Sequence, residues 1–494
     1  MTGPLGAWWR GEDEATRVAL VLILLAAAMA RVSALAQPMR YDESVTYLYF
    51  IGGSWAHAIA GYEFPNNHLL YTVVAKLGAM LAGNAPWVLR FPAFVAGLAI
   101  VPLTYAVGRA LYSPTAALVG AALAAAATQL VLFSANARGY AFVIVACLAL
   151  LLVAERIRSA GGTPRRWIAF ALIAAAGLAT IPVMLYPLGA VAAWFGLTVI
   201  IERGRGAWRP LGELTAALLG AASLTGLAYL PIVRVNGLAA LTANRFVTAS
   251  PWPTFFYDFF ARLAGILTGW AEPYPWPVAL LLGALAAAGL VRRRRVTRAT
   301  VSPLLAAYVW SALLLLATHR MPYDRIWLWL LPLVVLAVGS AVELLLDTAR
   351  GARLRSSLPL LAGALAVAGV AWGFARDALG NDADTGVFAA AEPLARVLVG
   401  VVQPGDRILA PIPANAPLQY YLLRAGAGAD TALLSTPVAD ATREIIVLAP
   451  RYHQTIQQAI AQGMVDTARF GPVVPGIHAR DGDVYVAERK GSQP

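Results

Sequence analysis

Long apolar segments recur along most of the chain, and they constrain its fold more than any other feature of the sequence. A helix needs about 20 mostly apolar residues to cross the hydrocarbon core of a bilayer. We count eleven segments of roughly this kind, at 17–36, 88–110, 114–133, 140–156, 166–184, 186–202, 210–231, 276–291, 300–317, 325–346 and 357–375. The pattern therefore predicts a polytopic α-helical membrane protein with about 11 transmembrane helices.

The composition agrees with a protein whose partner is the lipid bilayer. Of the 494 residues, 59% are hydrophobic and only 13% are charged, whereas charged residues make up about a quarter of an ordinary soluble domain. The net charge of +12 comes from short arginine clusters between apolar segments, so we do not expect a nucleic-acid partner. Cys147 is the only cysteine, which excludes an intramolecular disulfide and a metal site built from cysteines.

Four basic clusters predict how the helices are oriented. They lie at 156–166, 203–209, 292–298 and 350–355. With eleven spans and a cytoplasmic N-terminus, all four clusters face the cytoplasm, as the positive-inside rule requires, and the C-terminus lies outside. The short apolar segment 68–82 would reverse this orientation if it also crossed, so we expect it to form an interfacial helix on the outer face. We interpret 17–36 as a retained helix, with signal-peptide cleavage after Ala36 as the minor alternative.

The same count places an aromatic segment, 232–275, outside the membrane. Trp and Tyr settle at the level of the lipid headgroups, so we interpret this segment as a long loop that anchors at the interface. A lid over a lipid-linked substrate is the alternative interpretation.

After the last apolar segment, the chain becomes polar enough to form a soluble domain. We therefore divide it into a transmembrane domain at 1–375 and an extracytoplasmic domain at 376–494. In the second domain we predict strands at 406–410, 444–448 and 484–487 and helices at 416–424 and 455–462. Strands that alternate with helices predict a small α/β domain, and it contains no nucleotide-binding loop motif.

Two adjacent carboxylates, Asp42 and Glu43, follow the first apolar segment directly. Carboxylates at the mouth of a membrane helix are costly to hold near lipid, so they usually have a partner or a function. Pairing with Arg40 is the simple structural explanation.

Other polar side chains gather at the predicted outer face. They are Glu63, Asn66, Asn67, His68 and Lys76 in the first outer segment, Arg138 and Tyr140 in the second, and Arg320, Tyr323 and Arg325 in the last. Each has a structural explanation of its own: arginines snorkel to headgroups, asparagines cap helices, and either late arginine could pair with Asp324. Together, however, they offer cations for a lipid phosphate and a carboxylate to activate a hydroxyl group.

The order of these motifs resembles a known family. The motifs are Arg40-Tyr41-Asp42-Glu43, Tyr62-Glu63-x-Pro-x-x-His68-Leu-Leu-Tyr, Leu89-Arg90-Phe91-Pro92-Ala93, Ala137-Arg138-Gly139-Tyr140 and Arg325 at the start of a late span. This series, over residues 15–345, is similar to the C-type glycosyltransferase (GT-C) superfold. Within it, the series resembles bacterial relatives of protein O-mannosyltransferases and of the lipid A aminoarabinose transferase.

The resemblance implies an inverting glycosyltransferase in the bacterial plasma membrane, with its site outside the cytoplasm. A sugar would move from a polyprenyl-phosphate donor to a hydroxyl group of a glycan, lipid or protein acceptor. Asp42 would be the catalytic base with Glu43 in support, and Arg138 and Arg325 would face the donor phosphate. A transporter or flippase is the alternative, and a membrane-anchored scaffold is a third hypothesis.

Charge and predicted depth extend this set of site residues. Lys76 and Arg320 join the candidates for the donor phosphate. The candidates for binding sugar or acceptor are Glu63, Asn66, Asn67, His68, Tyr140 and Tyr323. We predict no cofactor, and a divalent metal is the less favoured alternative. The chain lacks the His-Pro-Pro motif of the protein mannosyltransferases and the lysine of the Glu-Lys-Pro-Pro motif of the lipid A enzymes, so neither relative identifies its sugar or its acceptor.

Overall fold

The structure is a computed structural model, and it describes residues 11–64, 67–242, 247–292, 297–348, 351–378, 386–427 and 441–491. The chain divides into two compact units. The first unit comprises residues 1–35, 59–74 and 90–380, and the second comprises 36–58, 75–89 and 381–494. The predicted division at residue 375 stays a prediction.

Seventeen α-helices precede the C-terminal region within the described ranges. In chain order, α1 to α17 are Glu14–Leu35, Tyr41–Thr46, Trp55–Ala60, Leu69–Ala82, Pro86–Leu111, Pro114–Ala126, Thr128–Ser134, Tyr140–Ala160, Pro164–Thr180, Leu185–Arg203, Trp208–Asn236, Ala239–Thr242, Trp252–Ala271, Trp276–Val291, Pro303–Thr318, Leu331–Leu346 and Leu358–Ala375. A π-helical turn, Tyr47–Ile51, continues α2, and a 3-10 segment, Asp324–Leu330, leads into α16.

These helices confirm the predicted class, a polytopic α-helical membrane protein. All eleven predicted segments lie on helical segments of the structure. Among the described residues, six helices are long and apolar enough to cross a membrane, or up to eight if each of two bent pairs counts as one span. The number eleven and the orientation of the helices stay predictions, because several of the helices, such as Pro303–Thr318, are short.

The aromatic segment 232–275 differs from the predicted long loop, because much of it is helical. Helix α13 spans Trp252–Ala271 and meets α14 at a bend of 110°. Its exposed Trp252, Phe256 and Phe260 recur every four residues, which is the period of one helical face. Pro253 lies in the first turn of α13, where proline favours the start of a helix.

Helices of the first unit approach each other closely at glycine positions. A Cβ atom on Gly289 would lie 2.0 Å from the carbonyl oxygen of Ala337, and one on Gly339 would lie 2.7 Å from that of Ala116. Small residues allow such close approach of helix backbones inside a membrane. The contacts of α16 with α14 and α6 therefore depend on these glycines.

We expect Gly289→Ala to destabilise the protein by about 1–3 kcal/mol, because the added methyl group forces α14 away from α16. Gly283→Ala on the same helix is the matched control, since a Cβ atom at Gly283 meets nothing within 4 Å. The measurement is the melting temperature of the purified protein in detergent. Equal melting temperatures for the two variants would contradict this account of the packing.

Arg31 is a buried arginine that holds the break between α6 and α7, which meet at a bend of 62°. Its Nη1 donates to the carbonyl oxygens of Ala125 (3.3 Å) and Ala27 (3.1 Å), and its Nε donates to the Ser134 hydroxyl (3.2 Å). The guanidinium group thus satisfies a carbonyl beside the break and ties α1 to the end of α7.

The second unit contains a four-stranded sheet with the strand order β1-β2-β4-β3. The strands are Asp406–Leu409, Arg443–Leu448, Val474–Ala479 and Gly482–Glu488, and the helices α18 to α20 are Ala391–Val401, Asn415–Arg424 and Ile456–Gln462. Strands β1 and β2 are parallel, and β4 is antiparallel to both of its neighbours. The small C-terminal α/β fold is confirmed. Strand β3 was not predicted, because its Pro475 and Gly476 hide the alternation typical of strands. Helix α18 was not predicted either.

Candidate functional site

Asp42 and Glu43 lie in the first turn of α2, in the second unit, but their environments differ. Glu43 is buried, and its Oε2 accepts a hydrogen bond from the backbone N–H of Arg40 at 3.0 Å. This bond caps the N-terminus of α2, so the structure gives Glu43 a structural contact. Asp42 is only partly buried. Burial, together with the negative charge of Asp42, raises the pKa of the Tyr41 hydroxyl, which therefore stays protonated beside that carboxylate.

The side chain of Lys76, on α4, extends to the end of the π-helical turn Tyr47–Ile51, and both lie in the second unit. Its ammonium group donates to the carbonyl oxygens of Ile51 (2.7 Å) and Gly53, and lies 5.4 Å from the centre of the Trp55 ring. These bonds use two of its three donors to cap the end of a helix. Its predicted contact with the donor phosphate stays a prediction.

His68 and Arg138 meet in the interior of the first unit, and both are buried. The backbone N–H of Gly139 donates to His68 Nδ1 at 2.8 Å, so this ring nitrogen carries the lone pair. The proton of a neutral imidazole then lies on Nε2. Arg138 Nη2 is 2.9 Å from that same Nε2, and a guanidinium group can only donate. Two donors therefore face each other, an arrangement that an anion accepting from both would stabilise.

Arg325 and Tyr140 extend this cluster. Arg325 Nε donates to the Tyr140 hydroxyl at 2.8 Å, and its guanidinium group lies 4.5 Å from the centre of the Tyr323 ring. The Tyr140 ring meets the His68 ring edge to face, with centroids 5.3 Å apart. The structure thus brings together five predicted site residues, which we call the cationic cluster: His68, Arg138, Tyr140, Tyr323 and Arg325.

Gly139 allows the cationic cluster to form. A Cβ atom at this position would lie 2.3 Å from Cγ2 of Thr180 and 3.3 Å from Nδ1 of His68. A side chain at this position would clash with Thr180 and crowd the His68 ring.

Burial first, and then the positive charges of Arg138 and Arg325, hold the pKa of His68 well below its ordinary value of 6.5. His68 is therefore neutral in the folded protein and becomes protonated more readily in the unfolded chain. Stability from this residue is complete above about pH 6.5 and declines as the pH falls below it, by at most about 1.4 kcal/mol per pH unit.

We expect the melting temperature of the wild-type protein to fall between pH 7.5 and pH 5 more steeply than that of His68→Asn, which cannot become protonated. Thermal unfolding of both proteins across this range is the measurement. Parallel curves would show that His68 is not held neutral by its surroundings.

Asn67 and Glu63 lie just before α4, in the first unit. Asn67 is buried; its Nδ2 donates to the carbonyl oxygen of Gly61 and its Oδ1 accepts from the Thr72 hydroxyl, both at 2.8 Å. These bonds fix the turn that presents His68. Glu63 is exposed in a bend, and Asn66 lies outside the described residues.

The described hydrogen bonds of Arg320 are to residues outside the cationic cluster. Its Nη1 donates to the carbonyl oxygen of Thr242 at 3.3 Å, and its backbone pairs with Ala249. Arg262, on α13, was not predicted as a partner of Asp324, yet its Nη1 lies 3.1 Å from Asp324 Oδ1. The arginines considered as partners of Asp324 were its neighbours in sequence, whereas Arg262 is 62 residues away.

In the described part of the chain, no three residues among His, Cys, Asp and Glu gather in a way that could hold a metal ion.

One family model matches part of the sequence. Residues 67–224 match the model described as dolichyl-phosphate-mannose-protein mannosyltransferase. This range includes His68, Arg138 and Tyr140 of the cationic cluster. A comparison with curated protein sequences finds no significant match.

Solved structures share the fold over nearly the whole chain. ArnT from Cupriavidus metallidurans, in the apo state, has a TM-score of 0.62 at 14% identity, over 94% of this chain and 97% of that chain. ArnT from the same organism bound to undecaprenyl phosphate has a TM-score of 0.60 at 15% identity, over 96% and 99% of the two chains. The oligosaccharyltransferase AglB from Archaeoglobus fulgidus, in complex with an inhibitory peptide and a dolichol-phosphate, has a TM-score of 0.56 at 11% identity, over 97% and 75%. The chain therefore has the GT-C fold of these membrane proteins, as its ordered motifs predicted.

Proposed function

We propose that this protein is an inverting glycosyltransferase that moves a sugar from a polyprenyl-phosphate donor to a hydroxyl group. The fold, the family model over residues 67–224 and the order of the motifs support this activity. One ArnT structure contains undecaprenyl phosphate and the AglB structure contains a dolichol-phosphate, which favours a lipid-linked phosphate as the ligand here. The proposed location is the plasma membrane of a bacterium, with the reaction on the extracytoplasmic face.

The cationic cluster is the observation that carries the proposal. His68 presents an N–H towards a guanidinium group, and the charges of Arg138 and Arg325 both act on its ring. A phosphate oxygen beside Nε2 would accept a hydrogen bond from His68 and a charge-assisted bond from Arg138. Arg325 would add a second charge, held in place by Tyr140 and Tyr323. In this proposal, His68 contacts phosphate rather than the sugar.

Asp42 takes the role of the general base in the proposed reaction. Its carboxylate removes the proton of the acceptor hydroxyl as that oxygen bonds to the sugar C1. The bond between C1 and the phosphate oxygen breaks on the opposite face, its electron pair leaves with the polyprenyl phosphate, and the configuration at C1 inverts. The cationic cluster stabilises the charge that develops on the leaving phosphate. Glu63, Asn66 and Asn67 remain proposed sugar or acceptor ligands, and Lys76 and Arg320 proposed donor ligands.

The test is transfer by the purified protein in liposomes. We would supply polyprenyl-phosphate donors carrying different radiolabelled sugars, together with membrane glycolipid, polysaccharide or peptide acceptors. A covalent product whose C1 configuration is inverted, as determined by NMR, is the expected result. Movement of labelled lipid across the bilayer without any covalent product would identify a flippase instead. Mass spectrometry of lipid that copurifies with the protein identifies the donor class independently.

A further inference from the structure

The helix that carries Asp42 belongs to the same compact unit as the C-terminal sheet and helices. Residues 36–58 and 381–494 both lie in the second unit, although more than 300 residues separate them along the chain. Helix α2 has only six residues, and a helix this short does not hold its own conformation in isolation. Contacts from elsewhere in the unit must therefore fix the position of Asp42.

The N-terminal end of α2 is held by two C-terminal segments. The backbone N–H of Met39 donates to the Tyr421 hydroxyl at 3.0 Å, and Met39 is completely buried. The backbone N–H of Tyr41 donates to the carbonyl oxygen of Gly386 at 3.1 Å, and Arg40 forms a β-bridge with Val387. Residues 40–41 thus pair like a strand with residues 386–387, directly before Asp42.

The C-terminal end of α2 is held by the neighbouring tyrosine of the same C-terminal helix. The ring of Tyr47 meets the ring of Tyr420 edge to face, with centroids 5.2 Å apart. The Tyr420 hydroxyl donates to the carbonyl oxygen of Asn84, and Asn84 Nδ2 donates to the Tyr47 hydroxyl at 2.8 Å. Tyr420, Asn84 and Tyr47 therefore form a closed set of contacts that fixes the first residue after α2.

Gly386 makes this arrangement dependent on one backbone position. It has a φ angle of +71°, and a Cβ atom on it would lie 2.6 Å from Cβ of Tyr41. Both the left-handed conformation and the close approach require glycine.

We propose that Tyr420 and Tyr421, on α19, are positioning residues for the catalytic base Asp42. The C-terminal α/β domain then fixes the position of the proposed base. This inference rests on the proposed function for the role of Asp42. We call Tyr420 and Tyr421, with their contacts to residues 39–47, the clamp. No sequence motif marks these two tyrosines.

Hydrogen exchange tests the clamp without any assay of activity. In Tyr421→Phe, Met39 loses its acceptor, and in Tyr420→Phe the bond to Asn84 is lost. We expect the amides of residues 39–47 to exchange about threefold to tenfold faster in the full-length variants than in the wild-type protein, which corresponds to one hydrogen bond. Tyr485→Phe, on β4 of the same unit, is the matched control and should leave these amides unchanged. Unchanged exchange in both clamp variants would overturn the proposal.

Kinetics distinguish positioning from a general loss of folded protein. Per milligram of monodisperse protein, we expect kcat to fall about threefold to tenfold in either tyrosine variant, while the donor KM and the melting temperature stay near wild-type values. A fall in melting temperature that accounts for all the lost activity would overturn the positioning role. If the wild-type protein transfers no sugar, the proposed function fails, and the exchange experiment still decides whether the clamp exists.

Gly386→Ala provides a second route to the same question. We expect it to lower kcat more than either tyrosine variant and to accelerate exchange over residues 39–47. Gly400→Ala, in α18, is its control, since a Cβ atom there meets nothing within 4 Å. Equal activity and equal exchange in the two glycine variants would count against the clamp.

Discussion

Asp42→Asn is expected to reduce kcat by about 10²–10⁴-fold, because the amide cannot accept the proton of the acceptor hydroxyl. The donor KM should change little, since the proposed phosphate ligands are elsewhere in the chain. Removal of a negative charge from the first turn of α2 should cost only about 0.3–1 kcal/mol of stability. Steady-state transfer from a polyprenyl-phosphate sugar measures kcat and the donor KM, and a melting curve on the same preparation measures the stability.

Glu43→Gln is the matched control, because it makes the same change of charge at the next residue. Glutamine can still accept the Arg40 backbone N–H that caps α2, so kcat should fall by less than about tenfold and any effect should appear mainly as lower stability. Transfer by Asp42→Asn at close to the wild-type rate would remove Asp42 from the base role. A larger fall in kcat in Glu43→Gln than in Asp42→Asn would assign the base role to Glu43 instead of Asp42.

Arg138→Met is expected to reduce kcat/KM by at least about 10²-fold, the typical effect of losing one donor that stabilises developing charge. Methionine fills much of the same space but cannot donate to phosphate. The effect should include a higher donor KM and weaker binding of polyprenyl phosphate itself, which can be measured in the absence of any acceptor. Arg138→Lys should lie between this variant and the wild type, because lysine keeps the charge but loses the planar fork of donors.

Arg109→Met is the control, because it removes an arginine that is held in an ion pair and is not a proposed donor ligand. Arg109 Nε lies 2.8 Å from Glu12, in an ion pair that we predict on the cytoplasmic side. This variant should lose some stability and keep its donor KM. Unchanged binding of polyprenyl phosphate by Arg138→Met would show that the cationic cluster does not bind the donor phosphate.

The sequence predicted the fold well where physical periodicity determines it. Apolar segments of membrane length coincide with helices. The strands predicted at 406–410 and 444–448 are adjacent and parallel in the structure. The aromatic segment after residue 231 was interpreted as a long loop that anchors at the interface; the structure shows that much of it is helical, and the anchoring role stays a prediction. Trp252, Phe256 and Phe260 lie on one exposed face of α13 while Phe255 is buried, so composition alone could not separate a loop from a helix.

Contacts distant in sequence explain what could not be predicted of the candidate site. The type and order of residues indicated Arg138, Tyr140 and Arg325, but nothing in the sequence showed that His68 would accept the Gly139 N–H, 71 residues away. The bond between Met39 and Tyr421 spans 382 residues. A tyrosine pair on an ordinary C-terminal helix carries no pattern that indicates such a role. Local patterns predict elements, whereas the partners of a buried polar group follow from packing alone.

The contacts of Arg31 have a consequence for biosynthesis. Its partners Ala125 and Ser134 lie 94 and 103 residues later in the chain, so at about 5–20 residues per second they emerge from the ribosome roughly 5–20 s after Arg31. During this interval α1 holds a charge whose residence at mid-membrane costs about 2.5–3.5 kcal/mol. Arg31 is near the end of α1, where its side chain can extend to the headgroups until the later helices arrive. Arg31 therefore acquires the partners that fix it in the bundle only after the bent pair α6 and α7 has been synthesised.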